Sequence, residues 1–184
     1  MITANQKKFV KSLTQKKFRN KHKCFVVEGV KLIDELLHSD FEIHSIYGTN
    51  TWIEDNPKVE AISISNKDLS IVSSLKTPNE VLAVVHYKEI EEPFKKGLSI
   101  ALDNIQDPGN LGTIIRTADW FGINNIVCSL DSVDLYNPKV IQATMGSLFR
   151  VNVHYCDLAT YFENSDKDIY GAVLEGDNIY NKKL

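Results

Sequence analysis

The chain has 184 residues, 43% hydrophobic and 24% charged, which excludes wholesale disorder and suits one large globular domain or two small ones. No apolar run approaches the ~20 residues a bilayer span needs, and no apolar stretch follows the lysine-rich N-terminus, so the sequence reads as cytoplasmic. The net charge of -3 hides an asymmetry: residues 1–23 carry Lys7, Lys8, Lys11, Lys16, Lys17, Arg19, Lys21 and Lys23 without one Asp or Glu, leaving 13 basic residues against all 24 acidic ones in the body. A positive front on an acidic body suits a polyanionic partner.

In chain order, Thr3 caps a first helix on which Phe9, Val10 and Leu13 recur at near-helical spacing, with lysines on the other face. Cys24–Val27 reads as a buried strand, and Val30, Leu32, Ile33, Leu36 and Leu37 as the apolar face of a helix. Ile43–Tyr47 and Ala61–Ile64 are strand-like, Asn66 opens a helix through Leu69, Ile71 and Val72, and Val81–Val85 is a strongly apolar strand. Residues 1–87 are therefore expected to form a small α/β domain. The polar stretch 88–97, with Pro93 and Gly97, is the expected linker.

Beyond it, strands at Leu98–Leu102, Ile126–Cys128, Val151–Tyr155 and Ile169–Val173 alternate with helices at Thr113–Phe121, Pro138–Thr144 and Leu158–Phe162. Such alternation implies a parallel sheet covered on both faces over residues 98–184. Four strands are thin for a free-standing domain, and the ending reads as a cut.

The three cysteines, Cys24, Cys128 and Cys156, lack zinc or redox spacing, and the five histidines show no ligand pairs; both sets read as packing or surface residues, with no metal expected. Chemistry concentrates in Leu102–Gly122. There an apolar strand runs through Asp107-Pro108-Gly109-Asn110 and Gly112 into a helix, placing a tight turn at the carboxyl end of a parallel strand, where ligands of open α/β sheets bind. Gly109 and Gly112 permit conformations and close approaches that a side chain forbids, and the free N–H groups of the helix are expected to welcome an anion. Arg116, about one turn in, offers a planar cation with five donors, suited to a phosphodiester or a polarised hydroxyl. The plainer alternative is that Asn110 caps the helix and Arg116 is a surface residue. A nucleotide-binding oxidoreductase is disfavoured, because the turn lacks Gly-x-Gly-x-x-Gly.

The string Asp107–Ala118 with Phe121-Gly122 resembles the first signature of the SpoU (TrmH) family of RNA methyltransferases. Asn137–Lys139 through Thr144–Val151 resembles the family's next stretch. Leu13–Arg19, Phe25–Val30 and Lys76–Pro78 with Val81–Val85 are similar to its substrate-binding domain. The resemblance implies an N-terminal ribosomal-protein L30e-like α/β domain followed by a partial SPOUT (α/β knot) methyltransferase domain. It further implies transfer of a methyl group from S-adenosylmethionine to a ribose 2'-hydroxyl of RNA, with rRNA favoured over tRNA by analogy. The same resemblance implies catalytic roles for Asn110 and Arg116, which stand in the positions of the family's motif-one asparagine and arginine. A free arginine is a very poor base, so electrostatic activation and positioning is the expected role.

Leu174-Glu175-Gly176 matches one cofactor-lining turn, while the later glycine-glutamate-glycine and serine-leucine-asparagine signatures do not occur. The chain as given is therefore expected to be unknotted, to bind the methyl donor poorly and to be inactive alone; the family homodimer becomes a monomer or pairs through an exposed sheet edge. Lys16, Lys17 and Arg19 are the expected phosphate contacts, joined by Glu28, Ser147 and Arg150 as RNA-facing residues, each of which has a purely structural alternative. A non-catalytic RNA-binding module is the alternative function.

Overall fold

The computed structural model describes residues 1–88, 97–176 and 178. The first half contains α1 (Ala4–Ser12), α2 (Lys16–His22), β1 (Cys24–Glu28), α3 (Val30–Leu37), β2 (Ile43–Gly48), α4 (Asn50–Asp55), β3 (Ile62–Ser63), α5 (Asn66–Val72) and β4 (Val81–His86). Thr3 caps α1 as expected, its side chain accepting from the Gln6 amide while Gln6 reciprocates, a capping box. Two helices lay outside the sequence expectation. The α2 helix is mostly cationic and lacks an apolar period, and α4 is a single short turn capped by Thr49 and anchored by buried Trp52.

The first sheet has the order β1-β4-β2-β3, with β4 antiparallel to both neighbours and β2 parallel to β3. Central β4 is buried on both faces, and its period-two alternation divides the core. Leu82 and Val84 face Val10 and Leu13 around α1 together with Leu69 and Val72 of α5. Val81, Ala83 and Val85 join Phe25 and Ile33 in a larger cluster that also contains Leu111, Ile115, Val140 and Ile141 from the second half of the chain. The two halves thus share a continuous apolar core. Most of the expected linker, 89–96, lies outside the described residues.

The second half contains β5 (Ile100–Leu102), α6 (Pro108–Trp120), β6 (Asn125–Ser129), α7 (Pro138–Thr144), a 3-10 turn (Ser147–Phe149), β7 (Asn152–Cys156) and α8 (Leu158–Glu163). Its sheet is parallel, in the order β5-β6-β7. The expected strand at Ile169–Val173 does not form: the segment is exposed and pairs with no strand among the described residues. Apolar composition alone does not make a strand, because its amide and carbonyl groups require a hydrogen-bonded neighbour.

Aromatic rings seam the halves together. Tyr136, which follows β6, stacks on Phe25 at 4.4 Å and on Tyr87 at 4.1 Å between ring centres, and Phe41 meets Phe149 edge-on at 5.3 Å. Aromatic pairs at these distances contribute ~0.5–1.5 kcal/mol each beyond their buried area.

Candidate active site

The loop from β5 to α6 is braced from below. Asn104, in a left-handed conformation at φ 51°, donates its amide to Ser129 Oγ at 2.8 Å, and Ile105 donates to Ser132 Oγ at 3.1 Å. The Ser129 and Ser132 hydroxyls are buried and 3.0 Å apart. Val133 returns a hydrogen bond to the Ile105 carbonyl at 2.7 Å. Two loops at the carboxyl ends of adjacent parallel strands are therefore tied into one platform beneath the turn. The serines gave no sequence signal, since their role depends on strand adjacency.

Helix α6 starts five residues earlier than expected. Asp107 is its N-cap, accepting from the Asn110 amide at 2.8 Å, and Pro108 occupies the first helical position. Two expectations are corrected by this. Asn110 is not the cap, and the helix N-terminus is not an open anion site, because a carboxylate of the chain already binds its amide and faces its dipole. The Asp-Pro pair was the sequence signal for this start. Gly112 supplies the expected close approach: a Cβ there would collide with Ala143 Cβ and stand 2.9 Å from the Ala143 carbonyl carbon, so α6 and α7 pack backbone against backbone. Gly109 has an ordinary negative φ.

Asn110 and Arg116 are both exposed, and they are six residues apart, about 9 Å along the helix axis. No hydrogen bond joins them among the described residues. Arg116 makes no ion pair there either. The acidic residue one turn on, Asp119, is taken by Arg150, which donates through Nε at 3.0 Å and Nη2 at 2.8 Å. Burial raises the Asp119 carboxyl, but hydrogen bonds from Arg150 and Ser147 outweigh it and hold the group below its ordinary value. Arg116 is left as a cation without a counter-ion among the described residues.

A model of the SpoU rRNA Methylase family matches residues 97–184, and one of an MRM3-like substrate binding domain matches residues 5–83. A 23S rRNA guanosine 2'-O-methyltransferase of Bacillus subtilis is 31% identical over 97% of this chain and 74% of its own length. A TrmH-family structure from Porphyromonas gingivalis superposes with a TM-score of 0.91 at 36% identity, covering all of this chain and 76% of that one. The chain belongs to the SpoU rRNA methylase family.

Other relatives match over less of their own length. The mitochondrial rRNA methyltransferase 3 of Xenopus laevis is 29% identical over 79% of this chain, which spans 38% of that protein. An AdoMet-bound rRNA methyltransferase from Sinorhizobium meliloti superposes with a TM-score of 0.77 at 26% identity, over 89% of this chain and 66% of that one.

On this SpoU frame the expected RNA contacts separate into two groups. Lys16 and Lys17 are exposed on α2, Lys17 lying 5.8 Å from the Phe18 ring centre. Arg19 is instead buried at 2% exposure, donating to the Leu13 and Thr14 carbonyls and to Asp134 at 2.6 Å, so it pins the halves together and faces no solvent. Glu28 is buried too. Its carboxylate accepts from Ser73 Oγ and from the Ser74 amide and hydroxyl, and its carbonyl accepts from Gln142 Nε2 at 3.0 Å, which leaves it no RNA-facing atom. Ser147 is a buried residue of the 3-10 turn, and Arg150 is held between Asp119 and Glu35 of α3. All four were legible as polar residues near turns; only long-range contacts showed what satisfies them.

A cleft of about 520 Å³ lies at the carboxyl ends of the parallel strands, lined by Asp103, Ser129, Asp131, Cys156, Asp157 and Phe162 among others. Leu174, Glu175 and Gly176 take no part in it; all three are exposed, Leu174 completely. The expected cofactor turn thus encloses nothing among the described residues.

Proposed function

We propose that the chain binds rRNA and positions one ribose for 2'-O-methylation in an S-adenosylmethionine-dependent reaction. The observation that carries this reading is Arg116: the family signature places it on a helix rooted in the braced turn, and Arg150 neutralises the carboxylate that would otherwise occupy it. An exposed guanidinium with no internal partner among the described residues is an electrostatic site awaiting an anion. It donates to a phosphodiester oxygen or to the ribose 2'-oxygen, and it stabilises the negative charge that develops as that oxygen attacks. A guanidinium is a very poor proton acceptor, so its part here is electrostatic. Asn110 in the first turn offers an amide that orients the same nucleotide. The 2'-hydroxyl requirement selects RNA over DNA. The relatives named for rRNA support rRNA over tRNA.

The test is transfer of radiolabel from methyl-labelled S-adenosylmethionine to unmodified rRNA, scored as an alkali-resistant dinucleotide. In a protein whose cofactor pocket is complete, label is expected at one ribose, and Arg116→Ala should lower the rate ~100-fold or more, as does loss of a single transition-state donor elsewhere. Transfer to DNA of the same sequence, or an undiminished Arg116→Ala rate, would overturn the assignment. The exposure of Leu174–Gly176 favours a second reading, an RNA-binding module without catalysis. RNA binding with no heat on titration with S-adenosylmethionine would decide for it.

A further inference from the structure

We propose that the cleft between the two halves, flanked by Lys76 from the first and Lys139 from the second, holds the phosphodiester backbone of a single-stranded stretch of RNA; this rests on the RNA reading above. The cleft measures about 690 Å³, within the ~300–1,000 Å³ typical of ligand sites. Thr14, Ser74 and Lys76 form one wall and Asn137, Lys139 and Gln142 the other. No carboxylate of the described residues lines it, although residues 24–184 carry 13 basic residues against 24 acidic ones. Both lysines are exposed, and neither makes an ion pair among the described residues.

Two of the walls' other donors are already spoken for. Ser74 gives its hydroxyl to the Glu28 carboxylate and Gln142 gives its amide to the Glu28 carbonyl. Buried Glu28 therefore joins the two walls, and the lysines remain as charged donors without an ion pair among the described residues. Lys16 and Lys17, two and three residues beyond Thr14, extend the positive surface from the mouth. Ala143, which backs Gly112, is part of the wall, so only α7 separates the cleft from the helix that carries Asn110 and Arg116. A concave slot suits a single strand, whose backbone can be threaded and whose bases can splay, better than a duplex read across its broad minor groove.

The test is fluorescence anisotropy with a labelled single-stranded oligoribonucleotide of rRNA sequence, between ~50 and ~200 mM salt. The variants are Lys76→Ala/Lys139→Ala and a charge-matched control, Lys58→Ala/Lys67→Ala; all four lysines are exposed, and thermal melts check folding. The cleft variant should bind more weakly, and its slope of log K against log salt should fall by about 1.4, ~0.7 for each phosphate no longer neutralised. The control should match the wild type. If the wild type binds with a salt slope that the cleft variant keeps, or that both double variants reduce equally, the cleft assignment is overturned while the RNA reading stands. If the wild type binds no RNA at all, the RNA reading itself fails and the cleft assignment falls with it.

Discussion

Arg19 on α2 donates to Asp134 at 2.6 Å across the boundary between the two halves, and its side chain is only 3% exposed. A cation in a lysine-rich segment has thus left the surface to become a structural cross-link. Two further bonds to the Leu13 and Thr14 carbonyls satisfy most of its donors, and Nε alone lacks a partner among the described residues.

Replacing Arg19 with Ala should destabilise the protein by about 3 kcal/mol, because removing one member of a buried pair strands the other charge. Lys16→Ala and Lys17→Ala, both at exposed positions on the same helix, should melt within about 0.5 kcal/mol of the wild type. Urea unfolding of the three variants measures the contrast. Equal melts would show that Arg19 is no pin.

Gly112→Ala should cost about 1–2 kcal/mol even though alanine favours helix by ~1 kcal/mol. The added methyl meets the backbone of Ala143, which cannot swing aside as a flexible side chain would. Ala143→Gly in the same chain should restore part of the loss, and a thermal melt of the single and double variants measures it.

The Arg150–Asp119 pair should make the junction acid-sensitive. Because the folded Asp119 carboxyl lies below its ordinary value of 3.8, the pair's contribution is complete above that value and disappears as pH falls through the lower folded one. Arg150 is 47% exposed and Asp119 21%, so water screens the pair and its contribution at neutral pH is about 0.5 kcal/mol. The stability gap between wild type and Asp119→Asn, followed by urea unfolding from pH 7 to pH 3, should therefore close below pH 4. A gap independent of pH would show that the carboxylate's charge is irrelevant.

The thiols should react in a fixed order. Cys156 is half-buried, whereas Cys24 is 2% exposed and Cys128 wholly buried, its thiol pushed up to about 12 by the loss of solvent and by Cys156 nearby. A disulfide reagent at pH 8 should modify one equivalent first, and Cys156→Ser should remove that phase. All three should react together in denaturant.

Most of the fold was legible because apolar spacing is a local property. The continuous apolar run at Val81–Val85 and the helical stripe from Val30 to Leu37 each announced its element from its own residues, and the signature at Asp107–Ala118 named the chemistry. Misreadings arose where the answer lay across the chain. The apolar segment Ile169–Val173 looked like a strand, yet a strand exists only with a partner. Arg19 and Glu28 looked like RNA contacts, yet both are buried and Asp134 and Ser74 claim them, at separations of 115 and 46 residues.

By itself, then, the order of residues determined most of the elements, which family they build and where the reactive turn sits, since each of these depends on neighbours within about two helical turns. Tertiary structure alone decided which charges are spent in holding the halves together and which, like Arg116, Lys76 and Lys139, stay exposed without an ion pair among the described residues. The reason is energetic: a charge leaves water only when a partner compensates its lost hydration, and packing determines where that partner lies.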